Sequence, residues 1–81
     1  MTGVTFTAVD LDTRHGDQTG LLVFMEGRLA AVLCRLDADH GELTGRWFVE
    51  KTFREMPLPA SNTFEQPDDF AAFLVAAARQ A

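Results

Sequence analysis

The chain has one cysteine, three prolines, no tyrosine and a single lysine among its 81 residues. A lone cysteine, Cys34, cannot form an intramolecular disulfide, so no disulfide framework stabilises the fold. The seven basic residues are spread along the chain and are outnumbered by 12 acidic ones. Binding to nucleic acid or to an anionic membrane requires clustered Lys and Arg, so neither partner class is expected.

Long hydrophobic stretches are missing as well. The longest apolar runs, at 29–34 and 70–78, are too short to cross a bilayer as a helix. The N-terminus lacks the basic and apolar regions of a signal peptide. These features favour a soluble, cytoplasmic protein. With 47% apolar residues in 81, the chain is expected to form a single domain over residues 1–81.

Four segments have the composition and alternation of β-strands. They lie at about 4–11, 20–25, 28–36 and 45–53. Only Glu26 and Gly27 separate the second segment from the third, and a two-residue connection with glycine second is typical of a primed hairpin turn. This turn predicts that Met25 faces Arg28, with an unbroken register along the rest of the hairpin.

The last segment of the chain has helical periodicity at about 67–80. Pro67 suits a first helical turn, and the acidic residues beside it suit the positive end of the helix dipole. Apolar residues then recur on one face: Phe70, Phe73, Leu74, Ala77 and Ala78. Residues 54–65 contain two prolines and are expected to form an irregular crossover. The sequence therefore predicts an α+β fold, a four-stranded antiparallel β-meander with one C-terminal α-helix packed on one face.

Both faces of the central hairpin are apolar, although one helix can cover only one of them. We place Leu36 opposite Gly45, so that Trp47 and Val49 join the face of Leu21 that takes the helix. The other face then carries apolar residues with three charged side chains among them. It consists of Leu22, Phe24, Leu29, Leu33, Arg35, Arg46, Phe48 and Glu50.

Aromatic residues and Arg set among aliphatic side chains are typical of the core of a protein interface. We therefore expect a non-catalytic protein that forms a homodimer or binds another protein through these residues. Three alternatives stay open. The first strand and the crossover could bury this face within the monomer. The chain could be a small-molecule binder or minor enzyme, with a pocket between the sheet and residues 54–65. It could also be an acidic inhibitor or adaptor of a basic protein.

Candidate chemistry is sparse. Asp10, Asp12, His15 and Asp17 form a run whose side chains could hold a divalent cation, but polar loops commonly collect such residues. Residues 37–42 (DADHGE) fail the spacing of a calcium loop, because the glycine comes fifth rather than sixth. Cys34 lies within an apolar strand and is expected to be a buried small hydrophobe. No catalytic, metal-binding or cofactor-binding residues are predicted.

Overall fold

A computed structural model describes residues 3–13 and 16–79, which form one antiparallel sheet and one long helix. The strands lie across the sheet in chain order. They are β1 (Val4–Asp10), β2 (Thr19–Met25), β3 (Arg28–Arg35), β4 (Trp47–Thr52) and β5 (Thr63–Phe64). A short 3-10 helix, Gly41–Leu43, lies between β3 and β4, and α1 (Pro67–Arg79) follows β5.

The predicted α+β class, with an antiparallel sheet and one C-terminal helix, is confirmed. The predicted number of strands is wrong, because the sheet has five strands rather than four. The additional strand, β5, is only two residues long and follows the prolines of the crossover. A segment this short has no measurable alternation, which is why the sequence indicated only irregular structure there. The predicted end of the helix at residue 80 lies outside the described residues.

The turn between β2 and β3 has the predicted primed geometry. Both of its central residues have positive φ, 53° at Glu26 and 77° at Gly27. Met25 pairs with Arg28, and Phe24 pairs with Leu29, as expected. A primed turn matches the right-handed twist of the two strands it joins, so it fixes the start of the hairpin register.

Beyond Leu29 the hairpin departs from the predicted register. A bulge between Val23 and Phe24 shifts the pairing, so that Val23 faces Ala31 rather than Ala30. One extra residue in β3 reverses the direction of every later side chain in that strand, because side chains alternate with a period of two. Val32 and Cys34 therefore share a face with Leu22, while Leu33 shares a face with Leu21.

The register of β4 also differs by one residue from the prediction. Arg35 pairs with Trp47 and Leu33 with Val49, so Leu36 lies opposite Arg46 as well as Gly45. The backbone oxygen of Leu36 accepts the N–H of Gly45, and the N–H of Leu36 donates to the backbone oxygen of Arg46. This second shift cancels the first. Trp47 and Val49 remain on the helix-covered face as predicted, and the residues of β3 beyond Leu29 exchange faces. A further irregularity leaves Glu50 as an extra residue in β4, so that Lys51 pairs with Val32 and shares its face.

The core lies between α1 and the face of the sheet that carries Leu33. Its side chains have relative exposures between 0 and 6%. They are Val23, Ala30, Ala31, Leu33, Val49, Phe70 and Leu74. The helix begins at Pro67 as predicted, and the Asp69 carboxylate accepts the backbone N–H of Gln66 there. On the opposite side of the helix, Ala72 and Ala76 are exposed.

Candidate binding face

The side of the sheet opposite α1 is called the second face below. At its centre are four apolar side chains, Leu22, Phe24, Val32 and Phe48, which are all partly exposed. Leu29, which pairs with Phe24, is 39% exposed. Among the described residues, no α-helix packs on this side, so apolar side chains of three neighbouring strands reach solvent together.

Six of the eight residues predicted for this surface share the second face. Phe48 pairs with Cys34 and with Thr63, and Arg46, which immediately precedes β4, donates to the Thr63 hydroxyl on this face. Glu50 lines the same depression as Phe48. Together with Leu22, Phe24 and Leu29, these residues keep their predicted placement.

The other two predicted residues, Leu33 and Arg35, lie on the opposite face, and their placement is a correction. Leu33 has no exposed surface and belongs to the core. The guanidinium of Arg35 lies 5.9 Å from the ring centroid of Trp47 and also pairs with Asp37. The bulge in β3 is the cause, since it turns both side chains to the helix side.

The two segments that were considered as a cover for the second face lie elsewhere. β1 is an edge strand of the sheet itself. From the crossover, Met56 and Leu58 pack against the core cluster. Residues 54–57 line a depression of about 450 Å³ against Phe73 of the helix. The crossover therefore packs mainly on the helix side, and only its end, at Ser61, borders the second face.

One end of the second face holds a polar pocket with a volume of about 370 Å³. Gly20 allows the preceding loop to fold over this end, because a β-carbon at Gly20 would come within 2.7 Å of Leu11 Cγ. The connection between β3 and β4 encloses the other side of the pocket through His40 and Leu43. The remaining lining residues are Asp17, Cys34, Leu36, Phe48, Glu50, Ser61 and Thr63.

Asp17 links the two loops that border this pocket. Its side chain is almost fully buried, and its Oδ1 accepts the backbone N–H of Ala38 at 2.7 Å. Its Oδ2 lies 2.5 Å from His40 Nε2. The hydrogen bond from Ala38 is the main reason that the pKa of Asp17 is lowered, and it outweighs the opposing effect of burial. The carboxylate is therefore ionised at neutral pH and holds the loops together.

This buried carboxylate predicts acid sensitivity. A carboxyl whose pKa is lowered by folding stabilises the protein above its unfolded-state value, here 3.8, and that stability is lost as the pH falls through the folded-state pKa. We expect the urea midpoint to fall as the solution is acidified below about pH 4. Asp17→Asn should have a lower midpoint at pH 7 and a weaker dependence on pH.

The exposed Asp37 provides the control for this measurement, because the hydrogen bond from Arg35 lowers its pKa as well. Asp37→Asn should retain most of the acid-induced loss of stability, since an exposed pair contributes little. An Asp17→Asn variant that loses as much stability on acidification as the wild type would contradict the assignment.

Cys34 lies beneath this network. Its side chain is 2% exposed, and Sγ is 3.5 Å from the backbone oxygen of Asp17. Burial, and secondarily the charge of Asp17, raises the pKa of the Cys34 thiol to about 11. The predicted burial of Cys34 is confirmed, but the side chain points to the second face. The thiol is protonated at neutral pH, a form that is poorly nucleophilic.

The hydroxyl groups on the far side of the pocket are already engaged. Thr63 Oγ1 accepts a hydrogen bond from Arg46 Nε at 2.8 Å and lies 2.9 Å from Ser61 Oγ. Arg46 Nη2 also donates to the backbone oxygen of Thr63. The guanidinium therefore anchors β5 to β4, and this contact orients the hydroxyls at the rim of the pocket.

The described residues of the acidic run in the first loop do not assemble into a metal centre. Within 3–13 and 16–79, no group of three or more His, Cys, Asp or Glu side chains is placed to hold a metal ion. Asp10 and Asp12 are exposed, whereas Asp17 is buried against Ala38 and His40. The fourth residue of the run, His15, lies outside the described residues.

Sequence reasoning missed the pairing of Asp17 with His40, which are 23 residues apart. It placed Asp17 in the run of possible cation ligands that begins at Asp10, and His40 in the turn at residues 37–42. It also missed Ser61 and Thr63. Contacts between loops leave no periodic pattern in the sequence. The only local signal for these residues was therefore their polar side chains, which does not identify their partners.

Comparison with known proteins identifies no relative of this chain. No protein-family model matches the chain, and no curated protein or solved structure matches it significantly. No helix in the part of the chain that the structure describes is long and apolar enough to cross a membrane.

Proposed function

We propose that this protein is a non-catalytic binding module that associates with a second copy of itself through the second face. The observation that carries the proposal is the group of partly exposed apolar side chains on the uncovered side of the sheet, with Phe24 and Phe48 among them. Contiguous apolar surface of this kind marks interaction sites on soluble proteins. Aromatic side chains are also the residues that contribute most to interface energies.

The charges on the second face favour a copy of the same chain as the partner. Glu50 lies beside Lys51, which pairs with Val32 and so shares the face. A two-fold axis can bring the Glu50 of each copy next to the Lys51 of the other copy. The second face can therefore pair with itself even though the chain as a whole carries a net charge of −5. Self-association then buries apolar surface without confronting like charges.

The state of the pocket residues supports a non-catalytic role. The Cys34 thiol is protonated and buried. His40 Nε2 is bonded to Asp17, and Arg46 is bonded to Thr63. These groups stabilise loops and strands in the structure, so they are not poised as a nucleophile and its base. A reduced thiol is also consistent with the cytoplasmic location that we propose.

Sedimentation velocity of the wild type and of Phe24→Asp tests the proposal. The wild type should sediment as a species heavier than the monomer at micromolar concentration. Phe24→Asp should weaken association by about 30-fold or more, as removal of a central aromatic residue costs about 2 kcal/mol or more. Ala72→Asp, on the exposed back of α1, is the matched control and should associate like the wild type.

Two results would overturn this function. One is a wild type that remains monomeric throughout the concentration range. The other is a folded Phe24→Asp whose mass equals that of the wild type. A monomeric wild type that binds a basic protein, with an affinity that falls steeply as salt is added, would instead favour the acidic-adaptor alternative.

A second candidate function is the binding of a small cationic molecule in the polar pocket. Asp17 and Glu50 are both among its lining residues, and the ring of Phe48 forms an apolar wall. Two carboxylates beside an aromatic ring favour an amine over an anion. A screen of small amines should then raise the melting temperature of the wild type more than that of Glu50→Gln. Equal shifts for the two proteins, or none, would exclude this function.

A further inference from the structure

β1 is a sheet edge that lacks the usual protection against pairing. It is seven residues long, and within the described residues it pairs only with β2. Its sequence, VTFTAVD, contains no proline or lysine, and its register with β2 is continuous. Natural edge strands are generally blunted by proline, lysine, bulges or short length. The opposite edge, β5, has such protection because it spans only two residues.

The register identifies the backbone groups that point away from β2. Glu26 donates to the backbone oxygen of Gly3, and Leu11 donates to that of Gln18. Hydrogen-bonded positions recur every second residue in an antiparallel pair. The residues of β1 that bond to β2 are therefore Thr5, Thr7 and Val9. The amides and carbonyls of Phe6 and Ala8 point outward along the free edge.

We propose that two copies of the chain pair through β1, as antiparallel strands related by a two-fold axis at Thr7. In this register Phe6 exchanges hydrogen bonds with the partner's Ala8, and Ala8 does so with the partner's Phe6. All seven residues of β1 overlap, which no other antiparallel alignment of this strand with itself achieves. The arrangement therefore satisfies the outward-pointing groups of Phe6 and Ala8 in both strands.

The side chains fit this register. Phe6 is partly buried and packs against the core cluster, whereas Ala8 is exposed. The pairing places the large ring of one copy beside the small side chain of the other on the helix side. On the second face, Thr7 lies beside the partner's Thr7, a cross-strand pair that favours antiparallel sheets. No charged side chains oppose each other at the centre.

Pairing of this kind would join two five-stranded sheets into one of ten strands. Because the two-fold axis is perpendicular to the sheet, both helices lie on one side and both second faces lie on the other. Edge pairing extends the proposed function, because it places the second faces of two copies side by side. It does not depend on the proposed function. Edge pairing alone gives a dimer, and edge pairing together with association of second faces gives a tetramer.

Amide hydrogen exchange, measured by NMR at low and high protein concentration, tests the edge directly. The amides of Phe6 and Ala8 should exchange rapidly in the dilute monomer and become protected at high concentration. The amides of Thr5 and Thr7 bond to β2 and should be protected in both samples, which makes them internal controls. Phe6 and Ala8 amides that exchange equally fast in an associated sample would overturn the proposal.

Charge variants at Thr7 test the position of the axis. The two Cα atoms at position 7 are expected to lie about 4.5 Å apart across the axis. Thr7→Lys and Thr7→Glu therefore each bring like charges together, so each variant alone should lose edge pairing. An equimolar mixture of the two should recover it, and Thr7→Val, which keeps the size and β-propensity, should pair like the wild type. A mixture that remains unpaired while both variants are folded would overturn this register.

Ala8→Pro and Phe24→Asp separate the edge from the second face. Proline at position 8 removes an outward amide and keeps the bonds to β2. If both contacts form, each variant should reduce a tetramer to a dimer. If the wild type is a dimer that only Phe24→Asp dissociates, the edge proposal is wrong and the proposed function stands. If only Ala8→Pro dissociates the dimer, the proposed function is wrong and the edge proposal stands. A monomeric wild type would refute both the edge proposal and the proposed function.

Discussion

Leu33→Asp is expected to unfold the protein, whereas the same substitution at the neighbouring Val32 should leave it folded. Leu33 has no exposed surface and contacts the core under α1. Burial of an unpaired carboxylate there should cost more than about 4 kcal/mol. Because a chain of this length has a total stability of roughly 4–12 kcal/mol, the native state of this variant would be largely lost.

Val32 is the matched control because it belongs to the same strand and points to the opposite face. It is partly exposed, so an aspartate remains hydrated and should cost about 1 kcal/mol. Far-UV circular dichroism and urea unfolding of both variants give the comparison. A folded Leu33→Asp together with an unfolded Val32→Asp would show that the hairpin has no bulge and that β3 faces the other way.

Phe70→Ala should lower the free energy of unfolding by about 3–5 kcal/mol. The Phe70 ring is completely buried between α1 and the sheet, and its centroid lies 5.4 Å from that of Phe64 in an edge-to-face contact. Truncation of Phe70 removes this contact and leaves a cavity between the helix and the sheet.

Phe53→Ala is the control for this truncation. Phe53 is 57% exposed, and its one aromatic contact is with the ammonium group of Lys51, 5.7 Å from the ring centroid. The loss should be below about 1 kcal/mol. Equal changes in the urea midpoints of the two variants would contradict the placement of the helix on this face.

The chain order of the first four strands and the helix could be predicted because each of these elements has a strong local signal. Glu26-Gly27 between two apolar runs specified a primed turn, and the helix start followed from Pro67 with its acidic neighbours. β5 could not be predicted, since two residues carry no alternation. Their place in the sheet depends on contacts with β4, including the hydrogen bonds from Arg46 to Thr63.

The candidate binding face was predictable only in part. Leu22 and Phe24 keep the face predicted from the turn, because the extra residue of the bulge lies in β3 and leaves the alternation of β2 unbroken. In β3, residues 29–34 are all apolar, so neither parity is favoured by the sequence and the position of a bulge is invisible. Leu33 and Arg35 were misplaced for this reason. The Asp17–His40 contact was not predictable either, because it joins two loops that are distant in sequence.

By itself, the sequence determined the class of fold, the type of the central turn and the excess of apolar side chains over what one helix can cover. These properties follow from composition, spacing and local backbone preference. The tertiary structure decided which residues of β3 are buried and which are open to a partner. That choice depends on the bulge opposite Val23, which places Leu33 in the core with Phe70 and which no local pattern specifies. The scarcity of lysine and proline also acquires a structural meaning at β1, where it leaves an edge without the residues that would block pairing.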